Sequence, residues 1–76
     1  MELNEFIELF ADQFDDTDIS EFTPTTKFRD LEEWSSLTQL AELNMIKKKC
    51  GIAIKYEDIK GCVTINDLFN LILSKK

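Results

Sequence analysis

A helical repeat of apolar residues opens the chain and constrains its fold more than any other feature. Apolar side chains spaced three or four residues apart lie on one face of an α-helix, and here acidic residues fill the positions between them. The residues of this stripe are Leu3, Phe6, Ile7, Phe10 and Phe14. The pattern predicts a first helix over residues 2–14 that buries its apolar face in a core.

The composition favours a small helical domain. The chain has 76 residues, which is near the lower limit for a core without disulfides or a metal. Its hydrophobic fraction of 43% is typical of a globule rather than of a disordered segment. One proline and two glycines leave long stretches free to form helices. We therefore predict that residues 1–76 form a single all-α domain.

The charge of the chain argues against two classes of partner. Its net charge is −6, whereas a nucleic-acid binder needs a basic face to neutralise phosphates. No apolar run approaches the roughly 20 residues that cross a membrane. The acidic N-terminus is unlike the basic start of a signal peptide. We expect a cytoplasmic, monomeric protein with no membrane span and no nucleic-acid partner.

The residues that most often bind metals do not form a known pattern here. Cys50 and Cys62 are isolated thiols, and the chain has no histidine, so a zinc site is not expected. Residues 16–20 imitate the start of an EF-hand loop. However, Glu21 replaces the glycine that the turn needs, and Lys27 replaces the bidentate glutamate. We expect two reduced cysteines and no metal site.

Residues 15–33 show no sustained helical or strand period of apolar residues, which predicts a long loop. Scattered apolar residues should hold this loop against the core, and a short helical turn is expected around residues 28–31.

A second helix is expected from Ser36 to about Lys49, with Gly51 as its C-terminal cap.

The C-terminal part predicts two further helices. Residues 56–60 give one short helix. Thr64 and Asp67 form a capping-box pattern that begins a last helix over residues 65–74. The fold expected is a bundle of three main helices and one short helix, with a long first loop.

Ser36 is the most informative single residue, because it lies on the first turn of the second helix. A hydroxyl there lies beside unpaired backbone N–H groups and the positive end of the helix dipole, a place that tolerates a phosphate. The alternative is that Ser36 only caps the helix, with Gln39 reaching back in a capping box.

Three stretches together resemble the acyl carrier protein family: residues 34–43, 50–54 and 64–68. The attachment motif of that family is usually Asp-Ser-Leu, often preceded by Trp, and the resemblance covers residues 3–73. It implies an acyl-carrier-like four-helix bundle that carries 4′-phosphopantetheine on Ser36. The arm would hold acyl intermediates as thioesters for fatty-acid, polyketide or related lipid biosynthesis. The partners implied are a phosphopantetheinyl transferase and acyl-activating, condensing or acyl-transfer enzymes.

Ser35 departs from the family pattern, because the family has Asp at this position. Serine keeps the ability to cap the helix but lacks the charge that helps the transferase and its magnesium to engage. Glu32 and Glu33 lie close enough in sequence to replace that charge in part. Two explanations stay open: a specialised transferase, or a carrier that has lost its arm.

The second helix has two apolar ridges, and a small bundle cannot bury both fully. The ridge expected in the core consists of Leu40, Leu43, Ile46 and Cys50. The ridge expected at the surface consists of Leu37, Ala41 and Met45, which together with Ser35 would contact a partner. The alternative for Met45 is that it fills a gap at the edge of the core.

Catalysis by the chain itself is not expected, because no histidine, activated cysteine or glycine-rich nucleotide loop is present. The leading interpretation is an acyl carrier protein. The alternative is a carrier-like adaptor that acts by protein–protein contact without a prosthetic group.

Overall fold

The computed structural model describes all residues, Met1–Lys76, and contains helices without strands. The four α-helices are α1 (Leu3–Ala11), α2 (Ser36–Met45), α3 (Tyr56–Lys60) and α4 (Ile65–Ser74). Three of them span nine or ten residues and α3 spans five, so the predicted all-α class with three main helices and one short helix is confirmed. None of these helices combines the length and the apolar character that crossing a lipid bilayer requires.

Helix α1 begins with a capping box and ends earlier than its apolar stripe. The Glu2 N–H donates to the Glu5 carboxylate over 3.3 Å, which satisfies one of the unpaired groups at the helix start. The helix ends at Ala11, although the stripe predicted helix to residue 14. A tighter turn follows, in which the Phe14 N–H donates to the Ala11 carbonyl over 3.0 Å. Phe14 therefore stays buried outside the helix.

The core is organised around the ring of Phe10, which is fully buried. Its centroid lies 5.8–6.4 Å from five other aromatic rings, and edge-to-face and tilted contacts predominate. We call this group the aromatic cluster: Phe6, Phe10, Phe14, Phe22, Phe28 and Trp34. Phe6 also contacts Phe69 of α4 at 5.6 Å, which joins α1 to the C-terminal helix.

The long segment between α1 and α2 is ordered, as predicted, by side chains that reach the core. A 3₁₀ turn at Phe28–Asp30 confirms the short helical turn expected there. The guanidinium of Arg29 lies 4.9 Å from the centre of the Phe28 ring. It donates to the Ile59 carbonyl over 2.6 Å and also to the Cys62 carbonyl. Arg29 therefore ties this segment to the end of α3.

The same segment also holds the start of α4. The Ile65 N–H donates to the Thr26 carbonyl over 3.1 Å, and the Asn66 N–H donates to the Pro24 carbonyl over 2.9 Å. Those are among the N–H groups that a helix leaves unpaired at its start.

A side-chain cap completes the start of α4. Asp67 and Thr64 cap each other as predicted: the Asp67 N–H donates to the Thr64 hydroxyl oxygen and the Thr64 N–H donates to the Asp67 carboxylate. Helix α4 therefore begins and ends where the sequence indicated.

Candidate functional site

Ser35, not Ser36, is the N-cap of α2. Its backbone is extended (φ −153°, ψ 175°), and its hydroxyl oxygen accepts the Thr38 N–H over 3.2 Å. The Ser35 carbonyl accepts the Gln39 N–H over 2.9 Å, which is the first bond of the helix. The alternative that Ser36 caps the helix in a box with Gln39 is therefore wrong, whereas the predicted start of the helix at Ser36 is confirmed. The helix begins at Ser36, so the hydroxyl of Ser36 lies one residue too far along to cap it.

Ser36 is the first residue of α2, and its side chain is exposed to solvent. Its hydroxyl makes no hydrogen bond within the protein, because the preceding serine carries out the capping. The backbone N–H groups of a first helical turn lack carbonyl partners and carry the positive end of the dipole. The hydroxyl is thus accessible, uncommitted and placed where an attached phosphate is stabilised.

Trp34 fixes the direction in which the chain enters α2. Its indole lies parallel to the Phe10 ring at 6.4 Å and contacts the Phe28 ring at 5.1 Å. The Thr38 hydroxyl donates to the Glu33 carbonyl over 3.0 Å, which holds the residue before Trp34 against the first turn. The start of α2 is therefore anchored to the aromatic cluster rather than carried on a free loop.

Glu33 is committed to a structural role. Its carboxylate accepts the Asp15 N–H over 3.2 Å, the Asp16 N–H over 2.9 Å and the Thr17 hydroxyl. These hydrogen bonds, the one from Thr17 first, lower the pKa of Glu33. The carboxylate therefore closes the turn after α1 and is not free to replace the charge that Ser35 lacks. Only Glu32, which is exposed, stays available for that purpose.

The rotation of α2 differs from the one expected. Leu40 was predicted in the core but is 56% exposed, and Leu37 is 79% exposed. Met45 was predicted at the surface but is only 5% exposed, which confirms the alternative that it fills the core edge. Ala41 and Leu43 are half-buried. Glu42, Met45 and Ile46 form the buried face instead, so the outer apolar surface beside Ser36 consists of Leu37 and Leu40.

Glu42 is the one buried charged or polar residue of the chain. Its side chain is 0% exposed, and neither carboxyl oxygen has a hydrogen-bond partner. Burial raises the pKa of Glu42 from 4.5 to about 10, so the group is a neutral carboxylic acid at pH 7. Sequence reasoning missed this residue because glutamate usually lies at the surface. The available signal was its spacing of three and four residues from Met45 and Ile46, which places all three on one face.

Helix α2 ends in an unusual turn. Residues Ile46–Cys50 form a π-helical turn, and Gly51 follows with φ 72° in the left-handed region. The predicted role of Gly51 as the C-terminal cap is confirmed, because only glycine adopts this conformation without strain. The lysines Lys47, Lys48 and Lys49 are exposed on this turn, where the negative end of the helix dipole favours positive charge.

The two cysteines are free thiols in apolar surroundings. Burial raises the pKa of both Cys50 and Cys62, which leaves them mainly protonated at neutral pH. The Cys62 thiol lies 3.7 Å from the Asp58 carbonyl, and the Cys50 thiol lies 3.7 Å from the Met1 sulfur. These positions are typical of packing residues rather than of nucleophiles.

Comparisons with protein-family models, with curated proteins and with solved structures found no match for this chain.

Proposed function

We propose that this protein is an acyl carrier protein that bears 4′-phosphopantetheine on Ser36. The observation that carries the proposal is the pairing of two serines at the start of α2. Ser35 caps the helix, and Ser36 presents a free, exposed hydroxyl on the first turn. The resemblance of residues 34–37 to the attachment motif of the family gives that hydroxyl a specific chemistry. The four helices and the long first segment are compatible with an acyl-carrier-like bundle.

The proposed modification exchanges the phosphoanhydride bond of coenzyme A for a phosphodiester bond to Ser36. The Ser36 oxygen would bond to the phosphorus of the pantetheine phosphate of coenzyme A, and the bond to the adenosine bisphosphate leaving group would break. A base on the transferase would take the hydroxyl proton. The first N–H groups of α2 and its dipole favour the negative phosphodiester that results. The arm supplies a thiol that carries acyl groups as thioesters, and the protein supplies attachment and presentation.

Leu37 and Leu40 are proposed as the partner-binding surface. They are 79% and 56% exposed and lie on the same side of α2 as Ser36, so a partner that receives the arm would also cover them. Ala41 is half-buried and lies at the edge of this surface, whereas Met45 no longer belongs to it. The partners proposed are a phosphopantetheinyl transferase and enzymes that activate, condense or transfer acyl groups in fatty-acid, polyketide or related lipid biosynthesis.

An adaptor without a prosthetic group is the second candidate. Two observations favour it: Ser35 lacks the carboxylate of the family motif, and Glu33 is committed to the turn after α1. In this candidate the exposed Leu37 and Leu40 bind a partner directly, and Ser36 stays unmodified. No side-chain arrangement around α2 supports a third candidate, an autonomous enzyme.

Intact-mass measurement separates the two candidates. The purified protein is incubated with coenzyme A, magnesium and a phosphopantetheinyl transferase of broad specificity, alongside the variants Ser36→Ala and Ser35→Ala. We expect the wild type and Ser35→Ala to gain the mass of one phosphopantetheine group and Ser36→Ala to gain none. Loss of the N-cap in Ser35→Ala lowers the free energy of unfolding by about 1 kcal/mol. Circular dichroism therefore serves as the control that this variant is still folded. A wild type that stays unmodified even when Ser35→Asp restores the family carboxylate would favour the adaptor, and a modified Ser36→Ala would refute the site.

A further inference from the structure

The unpartnered carboxyl group of Glu42 lies inside the bundle without any group of this chain to satisfy it. A buried polar group without a hydrogen bond destabilises a protein, and native structures contain few of them. Leucine at this position would fill a similar space without that cost. The side chain therefore has the character of a binding group whose partner comes from outside the chain.

Glu42 lies within reach of an arm attached to Ser36. The two residues are six positions apart on one helix, which corresponds to about 9 Å along its axis and about 120° around it. An extended pantetheine chain that carries an acyl group can span this separation. The group carried on the arm, rather than a freely diffusing ligand, is thus the partner best placed to meet the carboxyl.

An open groove runs beside Glu42 on the surface of the bundle. Its volume is about 280 Å³, and its lining residues are Gln13, Ala41, Asn44, Met45, Lys48 and Lys49. Ala41 and Met45 both lie on one side of Glu42, about 100° and 60° from it around the helix axis. Met45 is a flexible side chain that repacks readily.

The turn that follows Met45 adds a second place where α2 can adjust. The π-helical turn at Ile46–Cys50 begins directly after the buried residue Met45. Turns of this kind are rare in proteins. Where they occur, they interrupt the regular helix with a wider hydrogen-bond pattern and are often found at functional sites. The part of α2 that carries Glu42 is thus joined to the rest of the bundle by an irregular turn rather than by a regular helix.

We propose that Glu42 recognises the cargo of the arm and selects acyl groups that carry a hydroxyl over unsubstituted acyl groups. This inference rests on the proposed carrier function. A neutral carboxyl group offers one donor and one acceptor, and a hydroxyl offers the complementary pair. A plain hydrocarbon would leave the carboxyl unsatisfied. An amine would require a buried ion pair, for which both partners lose their hydration.

The test loads Ser36 with two cargoes that differ only by a hydroxyl. A transferase is supplied with octanoyl-coenzyme A or 3-hydroxyoctanoyl-coenzyme A, and intact mass confirms complete loading. The thermal midpoint of the loaded protein is then measured for the wild type, Glu42→Gln and Glu42→Leu. Glutamine keeps a donor and an acceptor, whereas leucine has neither.

We expect the hydroxylated cargo to give the wild type the higher midpoint, by about 4–8 °C for one hydrogen bond in a domain of this size. Glu42→Gln should keep the preference, and Glu42→Leu should lose or reverse it. Equal midpoints in the wild type, or a preference that survives in Glu42→Leu, would overturn the inference and leave the carrier function standing. Failure to load Ser36 would instead refute the proposed function on which the inference rests.

Discussion

The aromatic cluster and α2 differ in which kinds of side chain they bury and which they expose. In the aromatic cluster, large rings are buried against one another, and the nearby Arg29 finds carbonyl partners for its donors. In α2, the fully buried side chain is a carboxyl without partners, and two leucines lie in solvent. The first region follows the ordinary rule of apolar residues inside and polar residues outside. The second region breaks that rule on both of its faces.

The difference separates the region that stabilises the fold from the helix for which we propose a function. Sequence patterns and structure agree where a protein only needs to fold, and local violations are most common at functional or strained sites. The aromatic cluster supplies buried area and ring contacts. Helix α2 includes the buried Glu42 and the exposed Leu37 and Leu40, while Ser36 lies at its start. Stability is therefore concentrated away from the helix that we propose to be functional.

The largest contrast between the two regions should come from truncating one apolar side chain in each. Phe10→Ala removes a ring at the centre of the aromatic cluster and should lower the free energy of unfolding by about 3–5 kcal/mol. Leu40→Ala, the matched change on the outer face of α2, should alter it by no more than about 0.5 kcal/mol. Urea denaturation followed by circular dichroism measures both. A large loss in Leu40→Ala would show that this leucine packs in the core after all.

A smaller effect is expected at the start of α2, where the missing charge can be restored. Ser35→Asp keeps the N-cap and adds the carboxylate that the family motif contains, because Asp caps helices as well as Ser. The rate of the proposed modification at Ser36 should rise several-fold, on the order of 1 kcal/mol in the activation free energy. Ser35→Asn is the matched control, since it caps without charge and should leave the rate near that of wild type. An equal rise in both variants would assign the effect to capping rather than to charge.

Local patterns predicted α1, α3 and α4 well because each has a single consistent apolar face or a clear cap. The stripe of α1 and the Thr64–Asp67 cap of α4 are visible within a few residues. The early end of α1 was missed, since residues 12–14 continue the stripe in a tighter turn.

The rotation of α2 could not be predicted in the same way. Its apolar residues lie on several sides, so spacing alone does not choose the buried face. That choice depends on how α2 packs against α1, which is a tertiary contact. The commitment of Glu33 to residues 15–17 likewise depends on contacts across 16–18 positions of sequence. The sequence located Ser36 but could not show that Ser35 caps the helix, because either of two adjacent serines can fill that role.

The pH dependence of stability can test whether the Glu42 carboxyl is neutral in the folded protein. Its pKa is 4.5 in the unfolded chain and is raised to about 10 in the folded protein. Between these values the folded state keeps a proton that the unfolded state releases, so rising pH favours unfolding. Below pH 4.5 both states are protonated and the effect vanishes. Glu42→Gln lacks this titration and differs from the wild type at this one carboxyl group.

The decisive measurement is the free energy of unfolding of Glu42→Gln minus that of the wild type, determined by urea denaturation from pH 4 to pH 8. We expect the difference to grow in favour of the variant above pH 4.5 and to have gained about 3 kcal/mol at pH 7. A difference that stays constant across this range would show that Glu42 is hydrated or paired. That result would contradict the claim that α2 buries an unsatisfied acid.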